Sequence, residues 1–158
     1  MWAPVAYEGP ARALVRALKF QGALALAGEM GAIAVASAPG ELLRGALVPV
    51  PLHPGRLRRR GFNQALVLAE AISGRTGLAP SDCLRRRGPG SPQVGRDRRA
   101  RLAGPAGAIE ARARVPGVAL IVDDVVTTGA TLAACAAALR GAGATEVGAI
   151  AFARTPGR

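Results

Sequence analysis

The residues best placed to do chemistry lie in the stretch 118–132, VALIVDDVVTTGATL, where an apolar run, two adjacent carboxylates and a small-residue segment follow in fixed order. Leu120, Ile121 and Val122 have the composition of a short, buried parallel strand, and Leu132 to Arg140 is an alanine-rich run of strong helix propensity. The segment between reads as a strand-to-helix loop. In open α/β sheets ligands bind outside the carboxyl ends of the strands, and a helix N-terminus offers unpaired N–H groups and a positive dipole end to a phosphate. Asp123 and Asp124 would repel a phosphate set directly against them, so they suit neutral hydroxyls one sugar ring away. Val125, Val126, Thr127, Thr128, Gly129, Ala130 and Thr131 would then wrap the phosphate. The threonines can donate hydroxyl groups, and Gly129 lets the backbone approach closely with positive φ. This order describes a phosphosugar site. Two plainer readings of the acid pair stay open, a metal-binding pair and a solvated turn with a helix cap. No lysine follows Gly129 as a P-loop requires, and no G-x-G-x-x-G precedes the helix.

A second concentration of chemistry is cationic. The 158-residue chain carries a formal net charge of +11, and the span Arg56 to Arg101 holds twelve arginines against Glu70, Asp82 and Asp97. Such clustering implies an anionic partner, either a pyrophosphate-bearing ligand or a nucleic-acid backbone. Cys83 and Cys135 are too distant in sequence and too few for a zinc site, which fits a reduced, cytoplasmic protein. Cys135 reads as a small core residue. The start, MWAPVAYEGPARALVR, has no evident signal peptide, and the apolar stretch Ala23 to Ala38 is broken by Glu29 and too short to span a bilayer.

The elements that must position these residues follow from periodicity. Glu8 to Ala38 reads as two helical segments without evident chemistry, and Ala46 to Pro51 as a buried strand cut short by prolines. The basic loop LHPGRLRRRGFNQ leads into a helix with Phe62, Leu66, Ala69 and Ile72 on one face. Asp82 to Arg86 reads as a short strand, and residues 87–116, rich in Gly, Pro and Arg, as a flexible loop. Glu146 to Phe152 is the last strand. The expectation is one α/β domain over 1–158, a doubly wound and mainly parallel sheet, with N-terminal helices in 1–45.

Residues 118–132 resemble the phosphoribosyl-pyrophosphate (PRPP) loop of type I phosphoribosyltransferases, whose acidic pair holds the ribose 2′ and 3′ hydroxyls while the loop cradles the 5′-phosphate. Three further stretches resemble the ComF family of competence-associated, phosphoribosyltransferase-like proteins, and together they cover most of the chain. They are YEGPARALVRALKFQG (7–22), VPVPLHPGRLRRRGFNQA (48–65), and the partial match of PQVG (92–95) with Arg101 and Gly107-Ala108-Ile109. The cysteine-rich zinc-binding segment with which many members begin is lacking, and Gly90 and Gly104 stand where the family usually has Thr and Asn.

The resemblance implies the type I phosphoribosyltransferase fold with a flexible loop or hood, in which Gln93 and Arg101 lie. It implies PRPP or ribose 5-phosphate as ligand, with Mg²⁺ carried in by PRPP and no metal held by the protein alone. His53, Arg56, Arg58, Arg59 and Arg60 would form the pyrophosphate side; a solvated basic surface is the alternative for the last three. The family's role is in DNA uptake during natural transformation, with single-stranded DNA and competence-machinery proteins as partners. An active transferase moving ribose 5-phosphate to a nucleobase or small acceptor, and a PRPP-sensing regulator, are the other functions it leaves open. No general base stands out. Phe62, next to the arginine run, is the expected base-stacking residue, with most of Trp2, Tyr7, Phe20 and Phe152 assigned to the core.

Overall fold

The computed structural model of the protein describes residues 1–86 and 109–156. Helix α1 (Gly9–Gln21) buries Ala11, Val15 and Leu18, a spacing that places all three on one face, and ends at Gly22 in the left-handed region. Helix α2 (Leu26–Ala36) buries Ala27, Met30, Gly31 and Ala34. Helices α3 (Pro54–Arg60) and α4 (Gln64–Thr76) follow strand β2 (Ala46–Pro49). Strand β5 (Val118–Val126), helix α5 (Ala130–Gly141) and strand β6 (Glu146–Arg154) complete the fold.

With the two-residue strand β1 (Val5–Ala6), these strands form one parallel sheet in the order β1-β6-β5-β2. Successive residues of β5 serve opposite faces, as strand pleating requires. Leu120 and Val122 join the core shared with α1, α2 and α4, whereas Ala119 and Ile121 join the core shared with α5. Both faces of the sheet are therefore covered, which is why β5 is an unbroken apolar run up to Val122.

The site is opened by a difference in strand length. Strand β2 pairs with β5 only as far as Pro49 opposite Val122, followed by a bond from the Val50 N–H to the Val122 carbonyl at 2.9 Å. On the other side β6 follows β5 to Val126 opposite Arg154. Residues 123–126 thus extend past β2 and border a gap there.

Several elements differ from expectation. Asp123 to Val126 are strand, so the loop proper is only Thr127 to Gly129. The basic segment after His53 is helix α3, because Pro54 opens the first turn, His53 caps it and Gly61 closes it at φ 83°. Within the span 87–116, expected as flexible loop, Ile109–Ala111 forms strand β4, antiparallel to β3 (Leu84–Arg86). The pair is tied by an Arg85–Glu110 bridge at 2.6 Å. Gln93 and Arg101 lie outside the described residues. The N-terminus also adds β1 and a Trp2–Ile150 bridge to the sheet edge, where no strand was expected.

Gly45, which turns the chain into β2, has φ +77°, and a Cβ there would lie 2.2 Å from the Val118 carbonyl oxygen. Gly45→Ala should destabilise the fold by roughly 2–4 kcal/mol, combining strain with steric displacement. Gly74, in α4 with no heavy atom within 4 Å of a built Cβ, is the control. Gly74→Ala should stabilise by about 0.5–1 kcal/mol. Urea denaturation separates the two, and equal shifts would contradict the placement of Gly45 against β5.

Candidate functional site

At the gap beside β5 lies a cleft of about 150 Å³, lined by Val50, Pro51, Leu52 and His53 after β2, by Lys19, Arg56, Gln64 and Arg86, and by Asp123, Asp124, Val125 and Thr131. The two carboxylates are not equivalent. Adjacent strand residues face opposite sides, and Asp124 turns toward α1 and α4. It forms an ion pair with Lys19 and accepts a hydrogen bond from Gln64 Nε2 at 3.2 Å, leaving its side chain 3 % exposed. Gln64 in turn accepts from Arg60, whose guanidinium lies 5.6 Å over the Phe20 ring. Burial lowers the Arg60 pKa, with Arg56 and Arg59 adding to the effect and Asp124 opposing it.

Asp123 turns toward α5 and is half-buried; its Oδ1 accepts the Asp124 N–H at 2.9 Å. Burial, followed by the charge of Asp124, pushes its carboxyl up to about 8, against the opposing effects of the Asp124 N–H and Lys19. Two ionised carboxylates side by side in a partly desolvated strand end are costly, and Asp124 is the one matched by a cation. Asp123 is therefore the member that takes up a proton near neutrality.

Residues 125–131, expected to wrap a phosphate, run from the end of β5 into the first turn of α5. Gly129 caps α5 at φ 76°, and the Ala130 N–H bonds to Thr128 Oγ1 at 3.4 Å. The next amides, those of Thr131 and Leu132, belong to the first helical turn and have no acceptor within the helix. They border a concavity of about 30 Å³ that shares Asp123, Val125 and Thr131 with the larger cleft. A phosphate there would lie one sugar's breadth from the acid pair only if the ribose occupied the larger cleft.

Of the residues expected on the pyrophosphate side, His53 and Arg56 line the cleft. His53 Nδ1 accepts the Gly55 N–H at 3.1 Å, so the neutral ring carries its proton on Nε2, free to donate. Arg60 reaches the site through Gln64, whereas Arg58 and Arg59 are exposed on α3. Asn63 holds this wall in place. It caps α4 through a bond from the Ala65 N–H at 3.1 Å and donates to the Val50 carbonyl at 3.0 Å.

Three polar lining residues carry no local signal of a role in the sequence: Lys19, Gln64 and Arg86. Helix α1 had been assigned no chemistry, yet it delivers Lys19, the single lysine of an arginine-rich chain, to Asp124. That singularity was the available signal. Phe62 is half-buried, and of the other aromatic residues, most of them expected in the core, Phe20 is 72 % exposed. Cys135 is buried, which together with the charge of Asp123 pushes its thiol up to about 12, as suits a core residue. Among the described residues, no group of three or more His, Cys, Asp or Glu side chains could hold a metal ion, and no helix is long and apolar enough to cross a membrane.

The raised Asp123 pKa has a definite sign. The folded state holds the proton more tightly than the unfolded chain, so this contribution to stability is full below about pH 4 and is lost as pH rises through about 8. Asp123→Asn keeps an oxygen for the Asp124 N–H and removes the titration. The variant should gain on the wild type across that window, by roughly 1 kcal/mol or more at its upper end, since one unit of pKa is about 1.4 kcal/mol. Parallel stability–pH profiles would contradict the assignment.

Residues 116–158, which contain β5, the phosphate loop, α5 and β6, match the phosphoribosyl transferase domain family. Among solved structures the chain is similar to one described as the structure of the allosteric regulatory enzyme of purine biosynthesis. That match has a TM-score of 0.54 at 19 % identity and covers 80 % of this chain. The chain corresponds to about a quarter of that enzyme's length, 25 % of its chain. No match was found among curated protein sequences. The four-stranded parallel sheet with helices on both faces has the type I phosphoribosyltransferase fold, and the family match falls on the strand, loop and helix that form one wall of the cleft.

Proposed function

We propose that the cleft binds PRPP or ribose 5-phosphate, and that the protein is a ComF-like cytoplasmic factor that also engages single-stranded DNA during uptake. One observation carries the sugar-phosphate reading: the acid pair, a glycine-capped helix start, His53 and the Arg56 cation line two adjoining cavities at the carboxyl end of β5. The ribose hydroxyls would meet Asp123 and Asp124, the latter sharing its carboxylate with Lys19. The 5′-phosphate would take the hydroxyls and amides of Thr127 to Thr131. His53 and Arg56 would face the pyrophosphate, with Mg²⁺ arriving on PRPP and held by its oxygens. The single-strand reading rests on the family resemblance and on the exposed arginines of α3.

A neighbouring cleft favours a second reading, an active transferase. It measures about 530 Å³ and shares Pro51, Leu52 and Arg86 with the sugar cleft, while Leu66, Phe62 and Leu84 give it an apolar wall suited to a planar acceptor. Breaking the bond from ribose C1′ to pyrophosphate passes through a cation-like sugar centre, so a transferase must fix the sugar, neutralise the leaving group and exclude water. The acid pair suits the first of these needs, and His53 with Arg56 suits the second.

Calorimetry with PRPP plus Mg²⁺ and with ribose 5-phosphate tests the site. Thr131→Val should weaken both ligands by about five- to tenfold through loss of one hydroxyl bond to a charged group. Arg56→Ala should weaken PRPP by about tenfold and leave ribose 5-phosphate unchanged, because only PRPP carries a pyrophosphate. Absence of heat with either ligand, or equal losses in Arg56→Ala, would contradict the proposal. Pyrophosphate release that depends on one member of a nucleobase panel would decide for the transferase.

A further inference from the structure

A second pocket, of about 290 Å³, lies between the C-terminal end of α1 and helix α3. Its walls hold two aromatic rings, Phe20 and Phe62, and four cations, Lys19, Arg56, Arg59 and Arg60. Phe20 is 72 % exposed, although burying a phenylalanine side chain is worth about 1.5–3 kcal/mol. Packing among the described residues therefore does not account for its position. Arg60 stacks on it at 5.6 Å, and among the described residues no carboxylate lines the pocket. A free phosphate would have no use for the rings, and an apolar ligand none for four cations. A planar π-system joined to a phosphate uses both. Bases in a duplex hide their faces, so the matching polymer is single-stranded.

We propose that this pocket is a nucleotide subsite, in which one base of a single strand stacks on Phe20 and the adjoining phosphate rests between Arg56 and Arg59. The inference rests on the single-strand reading above and places its contact point on α1 as well as on the arginine run. It has a consequence for the sugar cleft. Lys19 and Arg56 line both cavities, so a pyrophosphate-bearing ligand and a strand draw on the same two cations and bind in competition.

The test is fluorescence anisotropy of the full chain with a labelled oligothymidylate of about twelve nucleotides, within the usual range of single-strand site sizes, over a salt series. Phe20→Ala should weaken binding by about tenfold without changing the salt slope, since stacking is lost and no charge is removed. Phe20→Trp should restore it, and calorimetric affinity for ribose 5-phosphate should be the same in all three proteins. Replacing Arg58, Arg59 and Arg60 together by Ala should flatten the slope. PRPP with Mg²⁺ should displace the strand, and ribose 5-phosphate should do so far less. A Phe20→Ala protein that binds the strand like wild type overturns the subsite and leaves the single-strand reading standing. Equal loss of strand and ribose 5-phosphate binding makes Phe20 structural and also overturns it. If the wild type binds no strand at low salt, the reading and the subsite fall together.

Discussion

A carboxylate buried at the end of the central strand constrains the rest of the site. Asp124 continues an apolar run into a position that is 3 % exposed, where an unpaired charge would cost several kcal/mol. Its partners must come from elsewhere in the chain: Lys19 from the end of α1 and Gln64 from the first turn of α4. Meeting that requirement fixes where both helices lie against the sheet. It also brings Arg60 and Phe20 together, because Arg60 bonds to Gln64 and Phe20 follows Lys19 in sequence.

The same constraint separates the roles of two adjacent acids. Asp124 is paired with Lys19 on the helical face, whereas Asp123 on the α5 face is pushed toward its neutral form by burial and by its neighbour. A pair arranged this way offers a sugar both an acceptor and a group able to donate or accept near neutral pH. The pair is accessible because β2 leaves β5 after the Val50 N–H bonds to the Val122 carbonyl, the Val50 carbonyl being taken by Asn63, while β5 runs on beside β6. Strand length, more than loop conformation, opens the cleft.

Much of this was legible in the amino-acid order. The strand, loop and helix of 118–141 are contiguous, and their local pattern is strong, so that this wall of the cleft could be read directly. The two N-terminal helices and the buried run at Ala46 were readable by periodicity. What escaped depended on contacts distant in sequence. Lys19 meets Asp124 across the fold, and no local pattern in α1 marks it. Helix α3 is only seven residues and polar, so it offered no apolar stripe. Strand β1 is two residues beside Pro4, and β4 three residues, too short for a period-two signal. The residue type of Phe20 favours burial, and only the packing of α1 shows it facing out.

Where a sugar phosphate settles is measured most directly by a crystal structure grown with ribose 5-phosphate. The phosphate should sit on Thr127 to Thr131, with the 2′ and 3′ hydroxyls within about 3 Å of the Asp123 and Asp124 carboxylates and Lys19 shifted from its position on Asp124. A phosphate bound instead among Arg56, Arg59 and Arg60, with the acid pair and Lys19 undisturbed, would contradict the sugar-phosphate reading.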